Sequence, residues 1–178
     1  MTLPTLRTAR LVIRPLAPTD APRIYELASA REVALNTMHI PHPYPPGAAE
    51  EWIASQEEKR AEGHYHFAID DGALAGGIGL RVQRDFDRAE IGYWIGVPYW
   101  GRGYATEAVA AVIRFGFEEL NLNRIYAGYF SRNSASGRVM AKNGMTYEGT
   151  LRQHVKKWGE VVDIVYYGIL REEWGKGG

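Results

Sequence analysis

The chain has 178 residues, 46% of them hydrophobic, with 21 basic and 21 acidic residues and no cysteine. That composition suits one compact domain, spanning residues 1–178, and excludes a disordered chain. No apolar run approaches the ~18 residues that a membrane span needs, and a balanced charge argues against nucleic acid as the main partner. The missing cysteines remove disulfides, thiolate metal sites and any covalent intermediate on a protein thiol.

The first residues, MTLPTLRTARLVIR, lack the apolar stretch of an export signal, which makes the cytoplasm the expected compartment. Leu11-Val12-Ile13 begins a strand. Thr19-Asp20 then offers an N-cap and Pro22 a first-turn proline for a helix with Ile24, Leu27 and Ala28 on its apolar stripe. Residues 41–47 (PHPYPPG) hold four prolines, so they form a stiff loop, with a helix around Glu50–Arg60 after it. His66–Asp70 and Ala73–Val82 read as a hairpin about Asp71-Gly72, and Gly76, Gly77 and Gly79 imply close backbone approach in its second strand. Glu90–Val97 (EIGYWIGV) is a strand ended by Pro98. Thr106–Leu120 is a helix with Val109, Val112, Ile113, Phe117 and Leu120 on one face.

Arg124–Phe130 is a further strand. Asn133 caps a short helix that closes at Asn143-Gly144, and Thr146–Lys157 with Val161–Leu170 makes a last hairpin about Trp158-Gly159. The whole is a mixed α+β chain.

Between strand and helix stands Trp100-Gly101-Arg102-Gly103-Tyr104-Ala105-Thr106-Glu107-Ala108. From Gly96 the spacing nearly fits a P-loop, but Arg102 and Gly103 replace the lysine and hydroxyl residue that grip requires. From Gly101 a dinucleotide fingerprint fails at Thr106. An anion site survives both exclusions: free N–H groups at a helix start, glycines that allow close approach, and the Arg102 cation. An ordinary strand-to-helix connection is the competing reading.

The strand, loop and helix together resemble the acetyl-CoA grip of the GNAT N-acetyltransferase superfamily, (Q/R)-x-x-G-x-(G/A), with Trp100 in the first place and Gly103 and Ala105 in the last two. Thr8 to Leu16 (TARLVIRPL) with Asp20-Ala21, then AEIGYWIG, then Asn133-Ser134-Ala135-Ser136, Lys142-Asn143-Gly144-Met145 and Tyr147-Glu148-Gly149 resemble the RimJ/RimL branch in family order. The resemblance implies a central, mostly antiparallel twisted sheet with a splayed pair of strands, flanked by about four helices. It also implies transfer of acetyl from acetyl-CoA to a primary amine, with no metal and no acyl-enzyme.

It further implies site residues. Gly101, Arg102, Gly103, Tyr104, Ala105 and Thr106 would hold the pyrophosphate. The backbone of Ile95 and Val97, where the strand splays at a bulge, would align the pantetheine arm, with an N–H near Val97 available to the oxyanion. Asn133 would touch the arm, and Ser136 would protonate the leaving thiolate. The branch's sixth-strand glutamate falls on Val155, which cannot act as a base. Glu90 is the first substitute, with pairing to Arg88 as its bland alternative, and His154 the second, because an imidazole titrates in the physiological range. His39, His42, Tyr44 and Trp52 are candidates for the acceptor side. The acceptor is a protein N-terminal α-amine or a small amine, and a homodimer is possible. The alternative function is a non-catalytic acyl-CoA-binding sensor or partner module.

Overall fold

The structure, a computed structural model, describes residues 3–175. An eight-stranded sheet runs in the order β1-β2-β3-β4-β5-β6-β8-β7. Its strands are β1 (Leu6–Arg7), β2 (Val12–Pro15), β3 (His64–Asp70), β4 (Leu74–Gln83), β5 (Arg88–Ile95), β6 (Arg124–Phe130), β7 (Thr146–Lys157) and β8 (Glu160–Leu170). Every neighbouring pair is antiparallel except β5 and β6.

The parallel pair is the feature that makes a site. β5 and β6 share only the register pairs Arg88↔Arg124, Ala89↔Ile125 and Glu90↔Tyr126. Each then stays with its outer neighbour: β5 follows β4 to Gly76↔Ile95, and β6 follows β8 to Phe130↔Ile164. The expected bulge is not there, since the β4–β5 register is unbroken; the sheet parts because two intact ladders diverge.

Among the described residues are seven α-helices, most of them packed on the sheet: α1 (Ala21–Ala28), α2 (Arg31–Leu35), α3 (Ala48–Ala54), α4 (Gln56–Ala61), α5 (Tyr104–Glu118), α6 (Ser134–Lys142) and α7 (Arg171–Trp174). One face of the sheet carries Ile13, Phe67, Leu80, Ile91 and Ile125 against Val109, Val112 and Phe117 of α5. The other carries Ala68 and Leu74 against Ile24, Leu27 and Ala28 of α1 and Ile53 of α3. Strand alternation explains how one sheet serves both cores.

More segments occur than the four expected helices because α2 and α7 are too short to show a period, and because the helix expected at 50–60 is two. The Ser55 hydroxyl and the Gln56 amide both donate to the Trp52 carbonyl, at 2.8 and 2.7 Å. Such local bonds compete with the helical ladder. The strand expected to reach Val97 stops at Ile95, because Pro98 sits inside a 3-10 turn over Val97–Tyr99. Helix α5 starts two residues early, capped by Gly103 at φ 79°. Among the described residues no helix is long and apolar enough to cross a membrane.

Candidate active site

A cavity of about 400 Å³ opens where β5 and β6 part. Ile95, Gly101, Gly103, Tyr104, Ala105 and Thr106 line it from β5 and the start of α5, and Asn133 and Ser136 line it from α6. Val97 and Arg102 do not line it. The Val97 carbonyl turns back to accept the Trp100 N–H at 3.1 Å, and the Arg102 guanidinium lies 5.3 Å over the Tyr99 ring.

At the loop, Gly101 and Gly103 take φ of 75° and 79°, which favour glycine. The first bond of the helix runs from Glu107 N–H to Gly103 C=O, and no side chain caps the turn. The N–H groups of Tyr104, Ala105 and Thr106 therefore lack an intrahelical acceptor. With the helix dipole behind them they form a cradle for an anion. Arg138 and Lys142 of α6 add positive charge to the cavity wall. Helical spacing aligns them with Ser134 and Arg138 in turn, but their direction toward the loop was not legible without the packing of α6 on α5.

Glu107 holds this loop in place. Its carboxylate accepts hydrogen bonds from the Thr8 hydroxyl and, at 2.8 Å, from the Arg10 backbone N–H and guanidinium. Arg10 also donates to the Arg102 carbonyl at 2.8 Å. Burial pushes the Glu107 carboxyl up, but the bonds from Thr8 and Arg10 outweigh it and hold it below its ordinary range. The T-x-R stretch near the N-terminus is thus a clasp on the first turn of α5.

On β5, the Gly96 N–H donates to the Ala75 carbonyl of the β4 side at 2.8 Å. Strand alternation turns the backbone groups of Ile95 and Tyr93 to the opposite edge, where β6 has departed. The Ile95 carbonyl is taken by the Trp100 indole N–H at 2.7 Å. The N–H groups of Tyr93 and Ile95 remain toward the gap. Trp100, the residue that departs from the Gln/Arg of the acetyl-CoA grip, therefore caps the end of β5.

Ser136 stands across the gap. The Asn133 side-chain oxygen accepts the Ser136 N–H at 3.4 Å, which fixes the amide so that its nitrogen donates to Ser136 Oγ at 3.3 Å. The Tyr93 hydroxyl donates to the same Oγ at 3.2 Å. With both lone pairs engaged, the Ser136 proton is left to point elsewhere. Burial pushes the Tyr93 phenol up to about 12, so it stays protonated and keeps donating. Tyr93 escapes a reading of the sequence because only the inter-strand gap brings it to α6.

Glu90 and His154 are not brought to this cavity. Glu90 pairs with Arg81 of β4 rather than Arg88, at the closed end of the β5–β6 pair. His154 is exposed on β7, in the irregular stretch between Leu151 and Val155. Of the acceptor-side candidates, Tyr44 packs edge-on against Tyr25 and Trp52 lies 5.6 Å from the His66 ring. His39 is exposed. His42 lies 6.0 Å from Trp158 on the β7–β8 turn. Beside that turn Lys157, at the end of β7, holds the segment after α2, its Nζ donating to the carbonyls of Thr37 at 2.8 Å and Ile40 at 3.2 Å, and Arg132, between β6 and α6, donates to the Leu35 carbonyl at 2.9 Å. Asn36 and Thr37 of this strap line the cavity.

The chain matches the acetyltransferase (GNAT) domain over residues 10–146. It is 34% identical over 170 residues to the uncharacterized N-acetyltransferase YnaD of Bacillus subtilis, covering 95% of this chain and 98% of that one. It is 26% identical over 181 residues to the [ribosomal protein uS5]-alanine N-acetyltransferase of Escherichia coli, covering 97% and 93%. The crystal structure of a GNAT-family acetyltransferase from Bacillus anthracis superposes with a TM-score of 0.84 at 28% identity, over 96% of this chain and 100% of that one. The chain belongs to the GNAT superfamily, in its RimJ/RimL-like branch, and is an acetyl-CoA-dependent N-acetyltransferase. The N–H cradle, the basic wall of α6 and the open edge of β5 fit a pyrophosphate carrying an amide-bearing arm.

Proposed function

We propose that this single domain transfers acetyl directly from acetyl-CoA to a primary amine, of a small molecule or a peptide N-terminus, within a ternary complex. The observation that carries the reading is the Ser136 hydroxyl, held by two donors on the wall of the gap with its own proton left to give.

The pyrophosphate rests on the N–H groups of Tyr104, Ala105 and Thr106, with Arg138 and Lys142 beside it. Arg102, over Tyr99, screens the loop from outside. The arm runs along the open edge of β5, and the N–H groups of Tyr93 and Ile95 are the donors available to the arm and to the thioester oxygen. A preorganised donor at a developing oxyanion is worth on the order of 3 kcal/mol. The amine nitrogen attacks the thioester carbon, and the oxygen takes up negative charge. The C–S bond then breaks, and the thiolate receives the Ser136 proton. The nitrogen gives two protons to water, one from the ammonium before attack and one from the tetrahedral intermediate, and Ser136 takes one back from solvent. The products are an N-acetyl amide, CoA thiol and one proton.

The test is thiol release from acetyl-CoA with a tripeptide bearing a free N-terminus, spermidine, an amino acid and an aminoglycoside. Release that requires one of these amines, and that falls in a Ser136→Ala variant, supports the reading. Acetyl-CoA binding with no release for any amine counts against it.

A further inference from the structure

We propose that His66 of β3 receives the acceptor amine, its Nε2 atom taking a hydrogen bond from the amine directly or through one water, with Gln56 of α4 as the residue that fixes the imidazole. This rests on the direct-transfer reading and adds to it the group that meets the second substrate.

The tautomer follows from two bonds. The Gln56 amide nitrogen donates to the Trp52 carbonyl at 2.7 Å, so its oxygen faces His66 Nδ1, also at 2.7 Å. An amide oxygen only accepts, so Nδ1 carries the proton and Nε2 the lone pair. Among the described residues Nε2 has no hydrogen-bond partner, yet it is not one of the sealed, unsatisfied polar atoms, so it keeps contact with solvent.

The position follows from the sheet. His66 pairs with Gly79, and Gly79 with Gly92, in one row across β3, β4 and β5. The ring leans over Gly79, where a Cβ would come within 2.5 Å of its Cδ2. Above Gly92 a Cβ would meet nothing within 4 Å. The two glycines thus clear a strip from the imidazole to β5. Two residues on, and on the same face, Trp94 lines the cavity. Tyr93 and Ile95 turn to the other face, toward α5 and α6. The strip reaches the gap from the side opposite the CoA-binding wall, as a second substrate must.

The charged and titratable neighbours are His64 on the same strand, Lys59 on α4, and Arg81 on β4 with its partner Glu90 on β5. Burial first, then His64 and Lys59, push the His66 imidazole down to about 4. The ring is neutral at any working pH. It orients the amine or an ordered water by accepting a hydrogen bond at Nε2, and the amine's proton leaves through that water to solvent.

Kinetics and a binding signal test this. His66→Phe keeps the packing against Trp52; with the best amine of the panel, kcat/KM for the amine falls tenfold or more while KM for acetyl-CoA holds. Gln56→Glu puts a carboxylate on Nδ1 and adds to the amine kcat/KM profile a second acid limb, below the one that the amine's own ionisation gives the unaltered protein. In nitrogen-15 spectra of histidine-labelled protein with CoA present at pH 7, the His66 signal, assigned by its loss in His66→Phe, is the Nδ1–H tautomer and its Nε2 shifts on adding methylammonium. An Nε2–H tautomer, an unmoved Nε2, or a His66→Phe rate within twofold overturns the proposal. If no amine turns over, direct transfer fails, and the spectra alone still decide whether His66 meets an amine.

Discussion

Tyr93 on β5 and Ser136 on α6 stand 3.2 Å apart, oxygen to oxygen, and join the two walls of the gap between the parted strands. The tyrosine is a donor in that pair and the serine an acceptor. A residue that acts by aiming another's proton has a recognisable kinetic trace.

Tyr93→Phe should lower kcat about tenfold, with little change in KM for acetyl-CoA, because Ser136 loses one of two donors. Ser136→Ala should lower kcat about tenfold to a hundredfold, at the low end of general-acid effects because a thiolate is a good leaving group. The double variant should match Ser136→Ala alone, since Tyr93 acts through Ser136. Additive losses in a double-mutant cycle would show that Tyr93 works independently.

The clasp on α5 predicts a different split. Glu107→Ala removes the acceptor of Thr8 and Arg10 and should loosen the loop proposed to hold the pyrophosphate. KM for acetyl-CoA should rise about tenfold, with kcat within a few-fold, as expected when mainly ground-state binding is lost. Calorimetric titration with CoA checks it.

The strap should sort with the other substrate. Lys157→Ala removes the donor to Thr37 and Ile40. KM for the amine should then change severalfold while KM for acetyl-CoA stays fixed. Equal changes in both would mean that the strap supports the whole cavity.

Stability should fall on the acid side in two stages. His66 titrates near 4 when folded and near ~6.5 when unfolded, so between those values the unfolded chain binds a proton that the folded chain does not. Stability present at pH 7 is lost as pH falls through that window, on the order of 3 kcal/mol in full. His66→Phe should show a flatter Tm profile from pH 7 to 4. Below it, Asp20 matters: burial pushes this 6%-exposed carboxyl up, but Arg14 and the Ala17 N–H pull it further down. Its contribution, like that of Glu107, is present above the ordinary carboxylate range and is lost as pH drops through the depressed folded value.

Most elements were legible because their patterns are local. The stripe of α5, the hairpin about Asp71-Gly72 and the Asn133 cap can be read from neighbours in the chain. The loop glycines and Ser136 were legible by resemblance. What escaped depends on register. Glu90 reads as a base or as the partner of Arg88 until β4 sets Arg81 beside it, and Tyr93 reads as a strand aromatic until β6 departs. The alternation His64-Tyr65-His66 does place two imidazoles on one face, but only Gly79 and Gly92, in one row on the next two strands, make that face a path. Val97 was misplaced by two residues, since Pro98 begins its turn at the residue before itself.

Direct transfer within a ternary complex is tested most directly by initial rates of thiol release with acetyl-CoA and the reactive amine varied together. Direct transfer gives intersecting double-reciprocal lines and no stoichiometric release of thiol without amine. Parallel lines, with one equivalent of thiol released before amine is added, would contradict it.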